Sequence, residues 1–356
     1  MEKESIKVAI AGVGNIASGL LQGINFLKQY PERKQELLHP FIGEYEATDI
    51  EIVAAFDVDE NKVGKDLAEA IFAPINSTPK FIDVESTGVI VQKGPLLDGL
   101  SETLRSVIAV SSEKEVDVAK VLKESNAEIL ICAVPTGAEQ AVKAYAQAAL
   151  DAEVAFINCT PTPIASDPEW ARKFRKANVC LIGDDLQSIT GGTVLHKGFL
   201  EVLKEQGVKI INTYQLDVAG GLETLNTLDD ERKAYKRQIK ERTIRAGFIN
   251  DINLASGTSD YLEFLGNRRI GHFWIYGEGF MGMPIKIDMR LETLDGPNGA
   301  ATLIDVIRAV KLSIQRAHFG PISSICAYGF KVGPVITSRH NAHKWFREYI
   351  EGTRPE

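Results

Sequence analysis

The first residues able to do chemistry are glycines. Gly12-Val13-Gly14-Asn15-Ile16-Ala17 fits the spacing GxGxxA. It follows the apolar run Ile6 to Ala11 and opens ASGLLQGINFLKQY, whose apolar residues recur at helical spacing. In that context Gly12 permits a tight turn, Gly14 lets the backbone approach a pyrophosphate, and Ala17 permits close helix–sheet packing. The helix start then offers free N–H groups and partial positive charge to phosphates. Asp57 ends the next apolar run, EIVAAF. An acid there accepts from ribose hydroxyls and repels a 2′-phosphate, which favours NAD over NADP; Asp59 competes for the role. Pro135, Thr136 and Gly137 close a third run, EILICAV, on the side of the nicotinamide half. Asp184 and Asp185 follow a further strand end, where ligands bind in open α/β sheets, and Asn158, Thr160 and Ser188 lie on the same edge. Lys236 and Lys240, four apart in DDERKAYKRQIKER, share one helix face, which spacing alone reads as a solvated face. His340 and His343, with no acid cluster nearby, read as surface or packing residues rather than metal ligands.

The elements that must position these residues follow from periodicity. Strands are predicted at 6–11, 51–56, 128–134, 154–158 and 179–182, alternating with helices after the glycine loop, over 60–72, after Gly137 and from Ser166, Asp167 and Pro168. Residues 29–50 form a polar excursion, and 73–112 are irregular. Strand and helix alternate to about residue 200, which predicts an α/β fold with a doubly wound parallel sheet. Beyond residue 208 the pattern changes. Residues 209–218 and 271–290 alternate like strands of an open or antiparallel sheet, 228–248 is a charged helix, and Leu303 to Arg316 is an amphipathic helix. Lys331 follows SSICAYGF, an apolar strand-like run.

Bulk composition sets the outer limits. The 356 residues predict two domains, and 44% hydrophobic content supplies a sizeable core. A formal net charge of −8 without a basic block gives nucleic acid no footprint. Four cysteines without a CxxC pair read as reduced core thiols. The charged N-terminus lacks a signal-peptide core, and no apolar run approaches the roughly 20 residues of a membrane span, so a cytoplasmic, membrane-free protein is expected.

Several segments together resemble the myo-inositol-1-phosphate synthases, most closely the shorter bacterial and archaeal members: the 12–18 loop, FDVDENKVGK (56–65), AYAQAALDAEVAFIN (144–158), PTPIASDPEWARKF (161–174), GDDLQS (183–188), DYLEFLGNRR (260–269) and LDGPNGAATLID (294–305). The likeness runs from about residue 6 to about 335. It implies a Rossmann domain built from 1–200 plus 305–356, with an inserted α+β catalytic and oligomerisation domain over 201–304, in a homotetramer. It also implies a redox-neutral, NAD-dependent cyclisation of glucose 6-phosphate to inositol phosphate by oxidation, enolisation, intramolecular aldol closure and reduction. By the same resemblance Lys236, Lys240, Lys331, Asp295 and Arg269 are catalytic. Gln187, Ser188, Asn226 and Asn298 are substrate-binding. Gly12, Gly14, Asn15, Ile16, Ala17, Asp57, Pro135, Thr136, Gly137, Asn158, Asp184 and Asp185 hold the cofactor. No metal ligand set is read.

The chain departs from the family pattern at three places. Gln187 and Arg269 stand where the family has Lys, and Gly221 stands where it has Asn. Arginine keeps charge but does not readily exchange a proton, and glutamine keeps hydrogen bonding without charge. These changes leave a second reading, a relative acting on another phosphorylated sugar. A third is a non-catalytic NAD-binding protein, against which the retained lysines and Asp295 speak.

Overall fold

Runs such as IKVAIA and EILICAV carry no polar alternation, so both faces of each strand must be covered, which a parallel sheet between helices achieves. The computed structural model describes residues 4–245 and 252–356; the end of the expected 228–248 helix and the first three residues lie outside these. The chain begins β1 (Ile6–Ala11), α1 (Asn15–Gln29), β2 (Ile50–Asp57), α2 (Leu67–Ala70), β3 (Val91–Lys93), α3 (Glu102–Arg105), α4 (Val118–Glu124), β4 (Ile129–Cys132), α5 (Glu139–Ala152), β5 (Ala155–Asn158), α6 (Pro168–Lys176) and β6 (Cys180–Ile182). It continues α7 (Gly192–Glu205), β7 (Lys209–Ala219), α8 (Leu222–Asn226), α9 (Asp230–Arg245), β8 (Asn253–Tyr261), β9 (Arg268–Glu278), β10 (Pro284–Leu294), α10 (Asp295–Gln315), β11 (Gly320–Pro321), α11 (Ser323–Gly329) and α12 (Arg339–Ile350).

Seven strands form one parallel sheet in the order β11-β6-β5-β4-β1-β2-β3. The direction of winding reverses between β1 and β4, so a crevice opens beyond their C-terminal ends. This is a Rossmann-type sheet, as expected. A second sheet, β10-β9-β7-β8, pairs β7 and β8 in parallel and its other neighbours antiparallel, where alternation alone had suggested an open or antiparallel sheet. The inner face of β7 carries Thr213, Gln215 and Asp217, all buried.

Three local expectations are corrected. Residues 60–65 are not helical: Gly64 takes φ +84°, a left-handed conformation, and only α2 forms in 60–72. The run before Lys331 is helix α11, not a strand; the strand-like contact comes after it, as a bridge between Leu186 and Phe330. The helix expected from Leu303 begins at Asp295 and is buried at every position from Thr302 to Lys311. Its charged residues there are paired: Arg308 with Asp305 at 2.6 Å, Lys311 with Glu128. This helix crosses α1 at glycines, where a Cβ on Gly19 would stand 2.7 Å from the Gly296 carbonyl oxygen. The starts of α1 and α10 are thereby held side by side. Asp167 caps α6 by accepting from Glu169 N–H and Trp170 N–H, with Pro168 at the first helical position.

The turn out of β1 has no room to spare. Gly12 stands at φ +94°, and a Cβ there would lie 2.5 Å from the Ala133 carbonyl oxygen at the end of β4. Gly12→Ala is expected to cost at least about 2 kcal/mol, from overpacking together with a forbidden backbone conformation, read as a lower urea midpoint at unchanged slope. An unchanged midpoint would show that the β1–β4 contact relaxes freely.

Candidate active site

One cleft of about 330 Å³ runs from the glycine loop to the second sheet. Its first end is shaped for a nucleotide. Gly14 is the N-cap of α1 and supplies no side-chain cap, and no acid occupies the helix's first turn, so its N–H groups face the cleft with their dipole unopposed. A Cβ on Gly14 would touch nothing within 4 Å, which leaves the backbone approachable. Val58, Ile75, Leu100, Leu104 and Ile108 form an apolar wall beside Asp57. The segment 73–112, irregular in the sequence, supplies most of that wall. These residues fit a dinucleotide: donors for a pyrophosphate, an acid at the ribose position and an apolar slot for a base.

The expected cofactor residues divide in two. Gly12, Gly14, Asn15, Ile16, Asp57, Pro135, Thr136 and Asp185 line the cleft. Ala17 is buried in the first turn of α1, and Gly137 lies against the Arg232 side chain. The Asn15 side chain is turned to the protein, its Oδ1 accepting from Ser77 N–H and Thr78 N–H at 2.7 and 2.9 Å. Asp184 and Asn158 lie beneath the cleft instead of lining it. The Asp184 carboxylate accepts from Ile164, Ala165 and Ser166 N–H groups, Ser166 O–H and Asn158 Nδ2, at 2.7–3.1 Å. Burial nonetheless lifts its pKa above the ordinary carboxylate value. The pair shapes the β5 and β6 loop ends with no polar atom left over for a ligand contact.

The other end of the cleft gathers charge. Asp185 lies between two lysines, with Lys331 Nζ at 2.9 Å and Lys236 Nζ at 3.5 Å. Lys236 also meets Glu223 at 3.3 Å, while Glu223 accepts from Thr136 N–H at 3.2 Å and from the Thr136 hydroxyl. Lys240 donates to Asp217 at 2.6 Å. Arg269 forms a fork with Asp295 at 2.8–2.9 Å and stands 3.7 Å from Asp217. Lys331 reaches this cluster because its N–H donates to the Asp185 carbonyl at 2.9 Å, continuing the bridge after Phe330. Asp295 is the first residue of α10 rather than part of a turn.

Proton affinities within the cluster diverge. Burial, with the charge of Lys236 beside it, pushes Lys331 below the ordinary lysine value against the pull of Asp185. Burial works against Lys236 as well, yet Asp185 and Glu223 together hold it above that value. Asp185 resists the effect of burial because Lys236 and Lys331 stabilise its charge, and its pKa is lowered. Asp217 is lowered in the same way by Lys240 and Arg269. Arg269 is raised by Asp295 and Asp217 despite burial, so it is a fixed cation.

The substrate residues expected from the resemblance are spread. Gln187 and Ser188 line the cleft beside Gly191, Gly192 and Thr193, the start of α7. That helix also lacks a side-chain cap and a first-turn acid. Asn226 borders the cleft but is fully buried, its Nδ2 donating to the Thr136 carbonyl at 2.9 Å. Asn298 faces the other way and clasps Thr190 through both its side-chain atoms. Sequence reasoning missed Gln215, Asp217, Glu223 and Lys62, all on the cleft wall. Gln215 and Asp217 carried a signal, polar residues on the inward phase of a strand; Glu223 in its five-residue helix carried none. Among the described residues no group of three or more His, Cys, Asp or Glu is placed to hold a metal ion, and no helix is long and apolar enough to cross a membrane.

The sequence profile of the myo-inositol-1-phosphate synthases matches residues 191–296. The chain is 41% identical to the inositol-3-phosphate synthase of Mycolicibacterium smegmatis over 98% of both chains. The chain belongs to the myo-inositol-1-phosphate synthase family. It is also 40% identical to the inositol-3-phosphate synthase of Corynebacterium glutamicum, over 94% of this chain and 95% of that one. The crystal structure of a myo-inositol-1-phosphate synthase-related protein from Thermotoga maritima superposes with a TM-score of 0.77 over 99% of this chain and 100% of that one; at 21% identity it shows the shared fold.

In this family member the Asp185 bridge generates a stability prediction. An acid whose folded pKa is lowered contributes stability that is present above its unfolded value of about 4 and is lost as pH falls through the folded value. Asp185→Asn is expected to destabilise the protein at pH 7 by about 2 kcal/mol, because two part-buried lysines lose their shared anion, and to flatten the loss of stability below about pH 4. Urea titrations at pH 7 and pH 3.5 check both, and equal losses at the two pH values would sink the linkage.

Proposed function

We propose that the protein converts glucose 6-phosphate to myo-inositol 1-phosphate with NAD, as an intramolecular lyase. The observation that carries this reading is one cleft with nucleotide-shaped walls at one end and Lys236, Lys240, Lys331 and Arg269 gathered at the other. NAD, when bound, would accept a hydride from a sugar carbon and return it, leaving no net redox change. The remaining chemistry falls to side chains. The uncapped start of α7, with Ser188, suits the substrate phosphate, since its N–H groups and dipole face the cleft. Lys331 suits the general base, because burial lowers its hold on a proton. Lys236, held protonated by two acids, suits stabilising an enolate or alkoxide oxygen in a site largely shielded from water. Lys240 and Arg269, each paired with an acid, fix the floor of the cluster.

A second reading has a specific basis. Gln187 lines the cleft with its Nε2 3.4 Å from the Tyr328 carbonyl, and Arg269 is locked to Asp295, so neither can move a proton as a lysine can. This favours a related cyclisation on another phosphorylated sugar. We also infer self-association, as a homotetramer. The outer face of the second sheet carries a ladder in which Trp274 stacks on Tyr214 and Tyr276, 5.9 and 6.1 Å between ring centres, and Leu216 beside it is 43% exposed. Light scattering should give four times the chain mass of 39.0 kDa; a monomer would remove that inference.

Glucose 6-phosphate and NAD+ incubated with the pure protein should yield inositol 1-phosphate in phosphorus NMR without accumulating NADH. Lys331→Met and Lys236→Met should each lose at least about 100-fold in kcat with NAD+ affinity retained. The wild-type rate should rise with pH as Lys331 sheds its proton, at a pH below the ordinary lysine value of about 10.4. Bound NAD+ without any product would overturn the standard reaction in favour of the second reading.

A further inference from the structure

The acid at the end of β2 is largely spent on the protein itself. Asp57 Oδ2 accepts from Val13 N–H at 2.7 Å, inside the glycine loop. Its Oδ1 accepts from Val58 N–H and Asp59 N–H at 2.7 and 3.0 Å. Of the four lone-pair positions of the carboxylate, one on Oδ2 is left over. The cation beside it is in the opposite position. Lys62 is 94% buried by its 6% exposure, yet its Nζ stands 3.6 Å from Asp57 Oδ2 and 3.8 Å from Asp59 Oδ2, both too far for a hydrogen bond. Asp59 Oδ2 is itself buried without a hydrogen-bond partner. Asp57 and Lys62 both face the cleft, next to the apolar slot of Val58, Leu100, Leu104 and Ile108.

An acceptor and a donor set about 3.6 Å apart are satisfied together by a group that accepts and donates at once. A sugar hydroxyl does both. A phosphate monoester, carrying only acceptors at neutral pH, would satisfy Lys62 but set its charge against Asp57 and Asp59.

We propose that Lys62, with the remaining lone pair of Asp57, reads a ribose hydroxyl of the adenosine half, and that this pair decides for a free hydroxyl against a phosphate ester at that position. Asp57 then has two tasks, holding the glycine loop by Val13 and accepting the hydroxyl proton. Lys62 is the residue whose removal leaves the loop intact. This inference rests on the dinucleotide reading above.

The test is calorimetric titration of the full-length protein with ADP, 2′-deoxy-ADP, 3′-deoxy-ADP and 2′,5′-ADP, none of which requires turnover. Lys62→Met keeps the apolar stem that packs beside the slot, and Lys62→Arg keeps charge and donors. The wild type should bind ADP about tenfold more tightly than one of the two deoxy ligands, and more tightly than a diphosphate bearing an additional 2′-phosphate. Lys62→Met should lose about tenfold for ADP while leaving that deoxy ligand unchanged, with Lys62→Arg recovering part of the loss. Equal weakening of every ligand by Lys62→Met would make Lys62 a general phosphate attractor and overturn the inference. So would 2′,5′-ADP binding as tightly as ADP. If the wild type binds none of the four, the dinucleotide reading falls together with this one; unchanged melting temperatures for both variants separate all of these outcomes from misfolding.

Discussion

Ammonium and guanidinium groups crowded into one part-buried cleft need an anion beside each, because an unpaired charge drawn out of water costs up to several kcal/mol. That constraint organises this protein. Lys236 and Lys331 share Asp185, Lys240 takes Asp217, Arg269 takes Asp295 with Asp217 behind it, and Glu223 ties Lys236 to Thr136. The acids come from the β6 loop, from β7, from α8 and from the start of α10; the cations come from α9, from β9 and from the segment after α11. No two partners in these ion pairs lie within ten residues of each other, so the cluster exists only when both sheets and α10 are in place. Cations held this way differ in proton affinity according to the number of acids each meets, which separates Lys331 from Lys236 although both are lysines in one cleft.

The backbone serves the same arrangement. A doubly wound sheet opens a crevice where β1 and β4 diverge, and the ends of β2, β4, β5 and β6 all face it. Two helices, α1 and α7, begin at that edge without side-chain caps, so their N–H groups are available to phosphates. Helix α10 also starts there, but its first turn is closed: Asp295 N–H and Gly296 N–H donate to Asn267, and the next residue is Pro297. These three helix starts thus divide into two that can receive an anion and one that presents a carboxylate. Asp184, fully buried under five hydrogen bonds, fixes the loops on which Asp185, Gln187 and Ser188 stand.

Much of the fold was legible in the linear pattern. Short apolar runs bounded by Gly, Pro and Asp placed five of the seven parallel strands, and the glycine spacing after β1 marked the edge where the cleft opens, because those signals are local and each depends on a handful of adjacent residues; β3 and β11, three and two residues long, offered no such run. Where local pattern misled, a long-range contact had overruled it. Thr302 to Lys311 look amphipathic because Asp305, Arg308 and Lys311 are charged, yet each has a partner far along the chain or across the layer and the helix is buried. Residues before Lys331 look like a strand because they are apolar on every side, which a short buried helix also requires.

The candidate site divides along the same line. Residue type and resemblance were sufficient to single out Lys236, Lys240, Lys331, Asp295 and Arg269, and the structure gathers all five in one cleft. The same reasoning gave Asp184, Asn158 and Asn298 a ligand role, while their side chains are consumed by protein hydrogen bonds; nothing in one dimension reports whether a polar atom is already satisfied. Glu223, Lys62 and the apolar slot from 73–112 were invisible as a site because their meaning lies in what stands opposite them, while Asp217 showed only as a polar residue on the inward phase of a strand. The sequence by itself determined the alternation of the main strands and helices, the glycine-loop edge of the cleft and the inventory of charged groups, all consequences of short-range periodicity and residue chemistry. Only the tertiary structure decided which acid faces which cation, and therefore which lysine holds its proton, because electrostatic pairing in a buried cleft depends on distances of 3–4 Å between segments that lie tens to hundreds of residues apart in the chain.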